Sequence, residues 1–410
     1  MEQKLEKCIV CGVFYGTGKL DDSDPESLEE LKALCEASGA EVVGEITQNR
    51  EAPDSRTVIG KGKIEELRNA ILELDANLVV FDCELSGSNT RNLEEELNVR
   101  VIDRSRLILD IFALRATTRE GKCQVELAQL LYHLPRLSGI GTSLSRLGGG
   151  IGTRGPGETQ LETDKRHIRE RISNLRQELK EIEKNRQTQR KQRTKNEVVN
   201  IALVGYTNAG KSSLLNALTG SEQFVENMLF ATLDPLSKKL TLADDRPAVL
   251  TDTVGFIRKL PHHLVEAFKS TLEVCTTADL LLHVMDATDP NLPNHKKTVE
   301  NLLKDLGAES KPLLSVYNKA DALSEEFVSE KDSVLISAKT GWNLDILMQK
   351  ITDMTRTTEV ERVLKIPYDK SHLVARIHEN LKVLDIAYEN EYQVLTVYGK
   401  EELIAPYEQL

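Results

Sequence analysis

Residues 199 to 220, VNIALVGYTNAGKSSLLNALTG, run an apolar strand into GxxxxGKS and then into a helix. A loop of this kind leaves the carboxyl end of a strand and opens the helix N-terminus. Its backbone N–H groups therefore converge on one point, where an anion is favoured. Such a loop belongs to a parallel α/β sheet, which is the first constraint on the fold. The phosphate-contacting stretch is expected to run from Gly205 through Tyr206, Thr207, Asn208, Ala209 and Gly210 to Lys211, Ser212 and Ser213. Lys211 is expected to reach β- and γ-phosphates, and Ser212 to ligate Mg²⁺.

Three later motifs agree in order and spacing. DTVG ends the strand PAVLTDT, placing Asp252 to hold Mg²⁺ through water and the Gly255 N–H to sense a γ-phosphate, with Thr253 and Val254 between them. NKAD follows PLLSVY, and the carboxylate of Asp321 can accept both the ring N–H and the exocyclic amine of guanine, a donor pair adenine lacks. Asn318 would tie this loop to the phosphate loop, and the stem of Lys319 would lie over the base. Ser337, Ala338 and Lys339 follow SVLIS, where the Ala338 N–H suits guanine O6. Together these predict a GTP hydrolase. Thr232 in LFATLDP is the expected switch threonine on Mg²⁺ and γ-phosphate. Thr219 and Thr241 are set aside as helix-end and strand residues. Lys211, Thr232 and Gly255 are the expected catalytic groups. Phe256 occupies the place after DxxG where many small GTPases carry a water-orienting glutamine. Catalysis must then draw on something else: K⁺ at Asn208, a nearby side chain such as His262 or His263, or groups from a partner.

The rest of the chain supplies more than one core, as 410 residues require. Residues 1–112 alternate short apolar runs with helix-periodic segments, predicting a small parallel α/β domain. Residues 113–196 are expected to form a helical hairpin. Leu127, Leu131 and Leu134 line one helix, Ile168, Ile172, Leu175 and Leu179 the other, and eight of the 24 glycines lie between them, at 138 to 157. Residues 197–358 form the P-loop domain, and 359–410 read β-α-β-β, a small α+β domain. Cys8 and Cys11 form a CxxC with no second pair, read as reduced thiols in a buried strand. No apolar run is long enough to span a bilayer, and MEQKLEKCIVCG lacks an export signal, so a cytoplasmic protein is expected.

Net charge is −12, which argues against general nucleic-acid binding. Residues 154 to 195, however, hold 13 Lys and Arg against 7 Asp and Glu. This run is either a solvated helix face or a local contact for RNA phosphates.

The stretches GGGIGTRGPGETQLETDKRHIRERI, TVIGKGK, ELSGSNTRNLEEEL and VIDRSRLILDIFALRATTREGKCQVELAQL resemble the HflX GTPases of the Obg-HflX superfamily, over roughly residues 40 to 350. The resemblance implies a ribosome-associated GTPase whose N-terminal domain and linker engage the large ribosomal subunit and its RNA. It also implies rescue of stalled ribosomes under stress by splitting them. With it, Arg154, Lys165, Arg166, Arg190, Lys191 and Arg193 become RNA-contact candidates, with no DNA partner expected. A hydrophobic residue after DxxG belongs to the family's pattern, whereas the last β-α-β-β segment occurs in only some members. Two other classes of function compete: a GTP-dependent switch for a protein partner, and an RNA-remodelling ATPase using the N-terminal half. That half has no Walker motif, only GKGK at 60 to 63.

Overall fold

The computed structural model describes residues 6–15, 25–137, 160–195, 198–221, 229–230, 235–259, 264, 267–324, 327–328, 330–356, 359–389 and 391–408. The chain divides into two compact units, Met1–Gln349 and Lys350–Leu410.

In the first unit, β1 (Lys7–Tyr15), β2 (Glu41–Arg50), β3 (Leu78–Phe81) and β4 (Arg100–Asp103) form a parallel sheet in the order β2-β1-β3-β4. Cys8 to Phe14 of β1 are buried throughout, as a central parallel strand covered on both faces demands. The CxxC thiols are therefore core side chains; all six cysteines are free. The intervening helices are α1 (Pro25–Ala37), α2 (Lys61–Leu74) and α3 (Gly87–Leu97). In α2, Ile64, Leu67 and Ile71 bury one face, and the helix stops at Asp75 in the left-handed region. Ser86 caps α3 in a reciprocal box with Asn89.

Helices α4 (Arg104–Arg115), α5 (Arg119–Arg136) and α6 (Gln160–Lys195) follow. The last two run antiparallel, as their cross-pairs show: Arg119 with Glu178, Glu126 with Arg171, and Glu120 with Arg186. Leu127, Ile172 and Leu175 are buried, and Leu131, Leu134, Ile168 and Leu179 pack against them. The glycine-rich segment and Arg154 lie outside the described residues.

The second sheet has the order β10-β9-β8-β5-β7-β6. It comprises β5 (Val199–Val204), β6 (Leu236–Thr241), β7 (Pro247–Asp252), β8 (Leu280–Asp286), β9 (Leu313–Asn318) and β10 (Val334–Leu335). Only the edge strand β6 is antiparallel to its neighbour. Its helices are α7 (Lys211–Thr219), α8 (Lys269–Thr277), α9 (Leu292–Asp305) and α10 (Leu344–Met354). One apolar cluster joins the two sheets' layers: Leu28 of α1 and Phe112 of α4 share it with Phe230, Val254, Ile257 and Phe268. Phe112 meets Phe230 and Phe268 edge-on, at centroid distances of 4.7 and 4.9 Å.

The second unit holds β11 (Glu359–Pro367), α11 (His372–Asn380), β12 (Lys382–Tyr388), β13 (Tyr392–Lys400) and α12 (Glu401–Glu408), its antiparallel strands ordered β11-β13-β12. The closing helix α12 departs from the β-α-β-β expectation. Its eight residues include Pro406, a breaking signal in the sequence, yet Ile404 is buried in that unit's core and burial holds the turn. Among the described residues no helix is long and apolar enough to cross a membrane.

Candidate active site

The loop 205–210 leaves β5, flanked by β7 and β8, so it lies at the carboxyl edge of the sheet's centre. Gly210 has φ +89°, and a Cβ there would stand 2.2 Å from the Asn318 amide nitrogen. That amide donates to the Ala209 carbonyl at 3.0 Å, so NKAD and the phosphate loop are locked together through a space only glycine leaves open. DTVG closes from the other side. A Cβ on Gly255 would meet the Thr207 Cα at 2.9 Å and Lys211 Nζ at 3.1 Å.

Lys211 is buried, and its ammonium donates to the carbonyls of Gly205 (3.1 Å) and Tyr206 (2.8 Å). Burial lowers its pKa to about 8, against the opposing pull of the Asp252 charge. The Ser212 hydroxyl donates to Asp252 Oδ2 at 2.6 Å. These two hard oxygen donors beside a phosphate loop are the set Mg²⁺ takes, so the residues fit the ion. Thr207 Oγ1 is buried without a hydrogen-bond partner among the described residues. Ser213 follows in the first turn of α7, half-buried.

Other sequence-selected side chains turn elsewhere. The Thr253 hydroxyl donates to the Leu203 carbonyl at 2.7 Å, and Val254 packs into the cluster with Leu28 and Phe112. Thr232, His262 and His263 lie outside the described residues. Thr219 bonds the Leu215 carbonyl at its helix end, and Thr241 ends β6.

At the base end, Asp321 accepts from the Ser337 hydroxyl at 2.6 Å, which with nearby Lys339 (3.9 Å) and Lys319 holds its carboxyl below the usual range. The Ala338 N–H donates to Asn318 Oδ1 at 2.9 Å, so a guanine O6 would have to share or take over that donor. Lys319 stands in the left-handed region and pairs with Asp286 at 2.6 Å.

Phe256 forms a parallel bridge with Tyr206. Its N–H donates to Gly205 at 3.1 Å, and its carbonyl accepts from Thr207 at 2.8 Å. The backbone thereby pins DTVG to the loop, while the ring is 2 % exposed and sits among Val204, Leu272 and Cys275. It points away from the phosphate cradle.

Several residues around the loop carry no local motif that marks them. The Tyr206 phenol donates to Glu30 of α1, accepts from the Arg258 N–H at 2.9 Å, and its ring stacks on His295 at 3.7 Å. Burial and the Glu30 charge hold that phenol well above its ordinary pKa, so it stays the donor. Asp82 accepts from Ser27 (2.7 Å), Arg104 (2.8 Å) and Lys259 (2.5 Å), and Arg104 also reaches Glu30. His283 of β8 is 1 % exposed, and burial, with the charges of Lys296 and Lys211, lowers its pKa to about 4.

Comparison with known proteins agrees with this geometry. Residues 25–113 match the family model described as GTP-binding GTPase N-terminal, 115–193 the GTP-binding GTPase middle region, and 200–319 the 50S ribosome-binding GTPase. The chain is 53% identical over 363 residues to a GTPase HflX of Caldanaerobacter subterraneus subsp. tengcongensis, covering 88% of this chain and 85% of the relative. It is 43% identical over 381 residues to a GTPase HflX of Escherichia coli, covering 91% and 88%. Among solved structures, a GTP-binding protein from Sulfolobus solfataricus in complex with GDP is 26% identical, covering 86% of this chain and 99% of that one, with a TM-score of 0.45. A loop that fits phosphates, a carboxylate that fits guanine, and relatives aligned along almost the whole chain lead to one conclusion: the chain belongs to the HflX family of GTPases and hydrolyses GTP.

Proposed function

We propose that this GTPase acts on the large ribosomal subunit, frees stalled ribosomes under stress, and reaches full turnover only there. The observation that carries the proposal is Phe256, whose backbone holds DTVG to the phosphate loop while its ring is buried. The position that orients water in many small GTPases is thereby spent on packing, so the missing positioning group comes from outside the site.

In this reading, N–H groups from Asn208 to Lys211 and the ammonium of Lys211 hold the β- and γ-phosphates. Lys211 gives up its two carbonyl partners to do so. A bound Mg²⁺ would supply positive charge against that developing on the phosphates. Ser212 directly, Asp252 through water and the expected switch residue Thr232 would hold it. Asn208, left-handed at φ +61° and exposed, offers its side chain to K⁺. Asp321, oriented by Ser337, selects guanine. Val254, Ile257 and Phe230 sit in one core with α1 and α4, so movement of either switch is felt by the N-terminal half.

The basic helix supplies the RNA contact. Arg166 is exposed and Lys165 half-exposed on α6. The backbone of α6 also carries Arg190, Lys191 and Arg193, whose side chains lie outside the described residues. The division of labour follows 1–112, 113–196, 197–358 and 359–410, with the first two parts docking and the third hydrolysing, in the cytoplasm.

The test is GTP turnover at fixed protein concentration with and without purified large subunits, in K⁺ and in Na⁺. Stimulation by subunits that is lost in Lys211→Ala is the expected result. Fast turnover alone, unchanged by subunits, would sink the proposal.

A further inference from the structure

Thr207 departs from the other threonines around the nucleotide loop. Thr253 donates to the Leu203 carbonyl and Thr219 to the Leu215 carbonyl, each at 2.7 Å, the ordinary use of a hydroxyl packed against backbone. Thr207 is 7 % exposed, and its Oγ1 has no hydrogen-bond partner among the described residues. A buried hydroxyl in that state lowers stability, so packing does not account for it. Its place is fixed by the backbone. The Thr207 N–H donates to the Phe256 carbonyl at 2.8 Å, and a Cβ on Gly255 would stand 2.7 Å from Thr207 Cγ2 and 3.1 Å from Lys211 Nζ. The threonine side chain and the ammonium that serves the β- and γ-phosphates therefore flank one point at Gly255, whose N–H meets the γ-phosphate in the reading above. Thr207 also lines a cavity of about 380 Å³, together with Tyr206, Asn208 and His283. His283 Nδ1 is likewise buried without a hydrogen-bond partner among the described residues. Two such polar atoms on the wall of a cavity this large suit water, which bonds two to four groups of this kind.

We propose that the Thr207 hydroxyl holds the attacking water against the γ-phosphate in the hydrolysis that proceeds without a partner. A hydroxyl has one proton to donate and lone pairs to accept with. Thr207 accepts one O–H of the water and donates its own proton to a γ-phosphate oxygen, which turns the water's lone pair toward phosphorus. The water oxygen then bonds to the γ-phosphorus as the bond from that atom to the β,γ-bridging oxygen breaks, and the electron pair leaves with GDP. One water proton ends on the released phosphate and the other in solvent; Thr207 keeps its own. Branching at Cβ restricts the side-chain rotamer and the bond to Phe256 fixes the backbone, so little reordering accompanies attack. This role requires GTP hydrolysis and nothing of the ribosomal reading. Groups brought by a partner raise the rate, and Thr207 sustains what proceeds before they arrive.

Two pairs of full-length proteins isolate the oxygen. Wild type and Thr207→Val share a shape and differ by the hydroxyl; Thr207→Ser and Thr207→Ala both lack the methyl and differ by the same oxygen. For each, three quantities are measured without ribosomal subunits: the single-turnover rate at saturating concentrations, the affinity for a non-hydrolysable GTP analogue, and the urea midpoint. Within each pair the member without the oxygen should hydrolyse at least about tenfold more slowly, while analogue affinity stays within about twofold. Thr207→Ser should keep most of the wild-type rate, which a role in packing alone does not predict. Should the urea midpoint show that Thr207→Val is not folded, the Ser and Ala comparison decides by itself. Equal saturated rates within either folded pair would overturn the proposal, whatever happens to affinity. Because no subunits are present, neither result depends on the ribosomal test above.

Discussion

Lys211 is a buried ammonium that donates to two loop carbonyls, and burial lowers its pKa to about 8. Phosphates would restore its charge, so nucleotide binding above that pH must take up a proton. Calorimetry in buffers of different ionisation heat should show uptake of about half a proton at pH 8 and almost none at pH 6.5, with affinity falling as pH rises. Lys211→Ala should abolish both uptake and turnover. His283 works in the opposite range. Its pKa is depressed from 6.5 to about 4, so between those values the unfolded chain binds more protons than the folded one. Stability is therefore lost as pH falls through that window. Urea unfolding should show about 2 kcal/mol lost between pH 7 and pH 5 that His283→Leu does not lose.

At the scale of elements, the short bridge between Tyr206 and Phe256 decides which way a side chain at position 256 points. A strand alternates its faces, and this register sends residue 256 into the core with Leu272 and Cys275. Phe256→Gln should therefore not create a water-orienting residue. It should cost about 3 kcal/mol by leaving a cavity and burying an amide, and leave single-turnover hydrolysis no faster. A faster rate would show that the side chain reaches the cradle after all. The helices tell a related story of what sequence reveals. The hairpin's Leu127, Ile172 and Leu175 were legible because their spacing is helical and their burial follows from it. The helix α12 was not legible, because Pro406 reads locally as a stop while the burial of Ile404 is a tertiary fact.

At the scale of the first unit, Phe112 of α4 touches Phe230 and Phe268, which lie on either side of DTVG in the chain. Removing the ring takes away packing on both sides, so Phe112→Ala should cost about 3 to 5 kcal/mol. The chain has one tryptophan, Trp342, far along the chain from residue 112. If the unit unfolds as one, Trp342 fluorescence should report the whole shift in urea midpoint. A midpoint unmoved at Trp342, with loss seen by circular dichroism, would mean the two layers unfold separately.

The nucleotide motifs are local in the chain: a loop between a strand and a helix, DTVG at the end of one strand and NKAD after another. Periodicity and turn residues likewise determined the alternating α/β order and the paired helices. What the tertiary structure decided is everything that joins distant positions. Glu30 against Tyr206 and Asp82 against Lys259 lie far apart in sequence, and no spacing rule connects them. The direction of Phe256 belongs to the same class, since a single residue after DxxG carries no period from which its facing can be read. Burial set by a neighbouring layer is a property of the packed sheet, and only the fold supplies the neighbour.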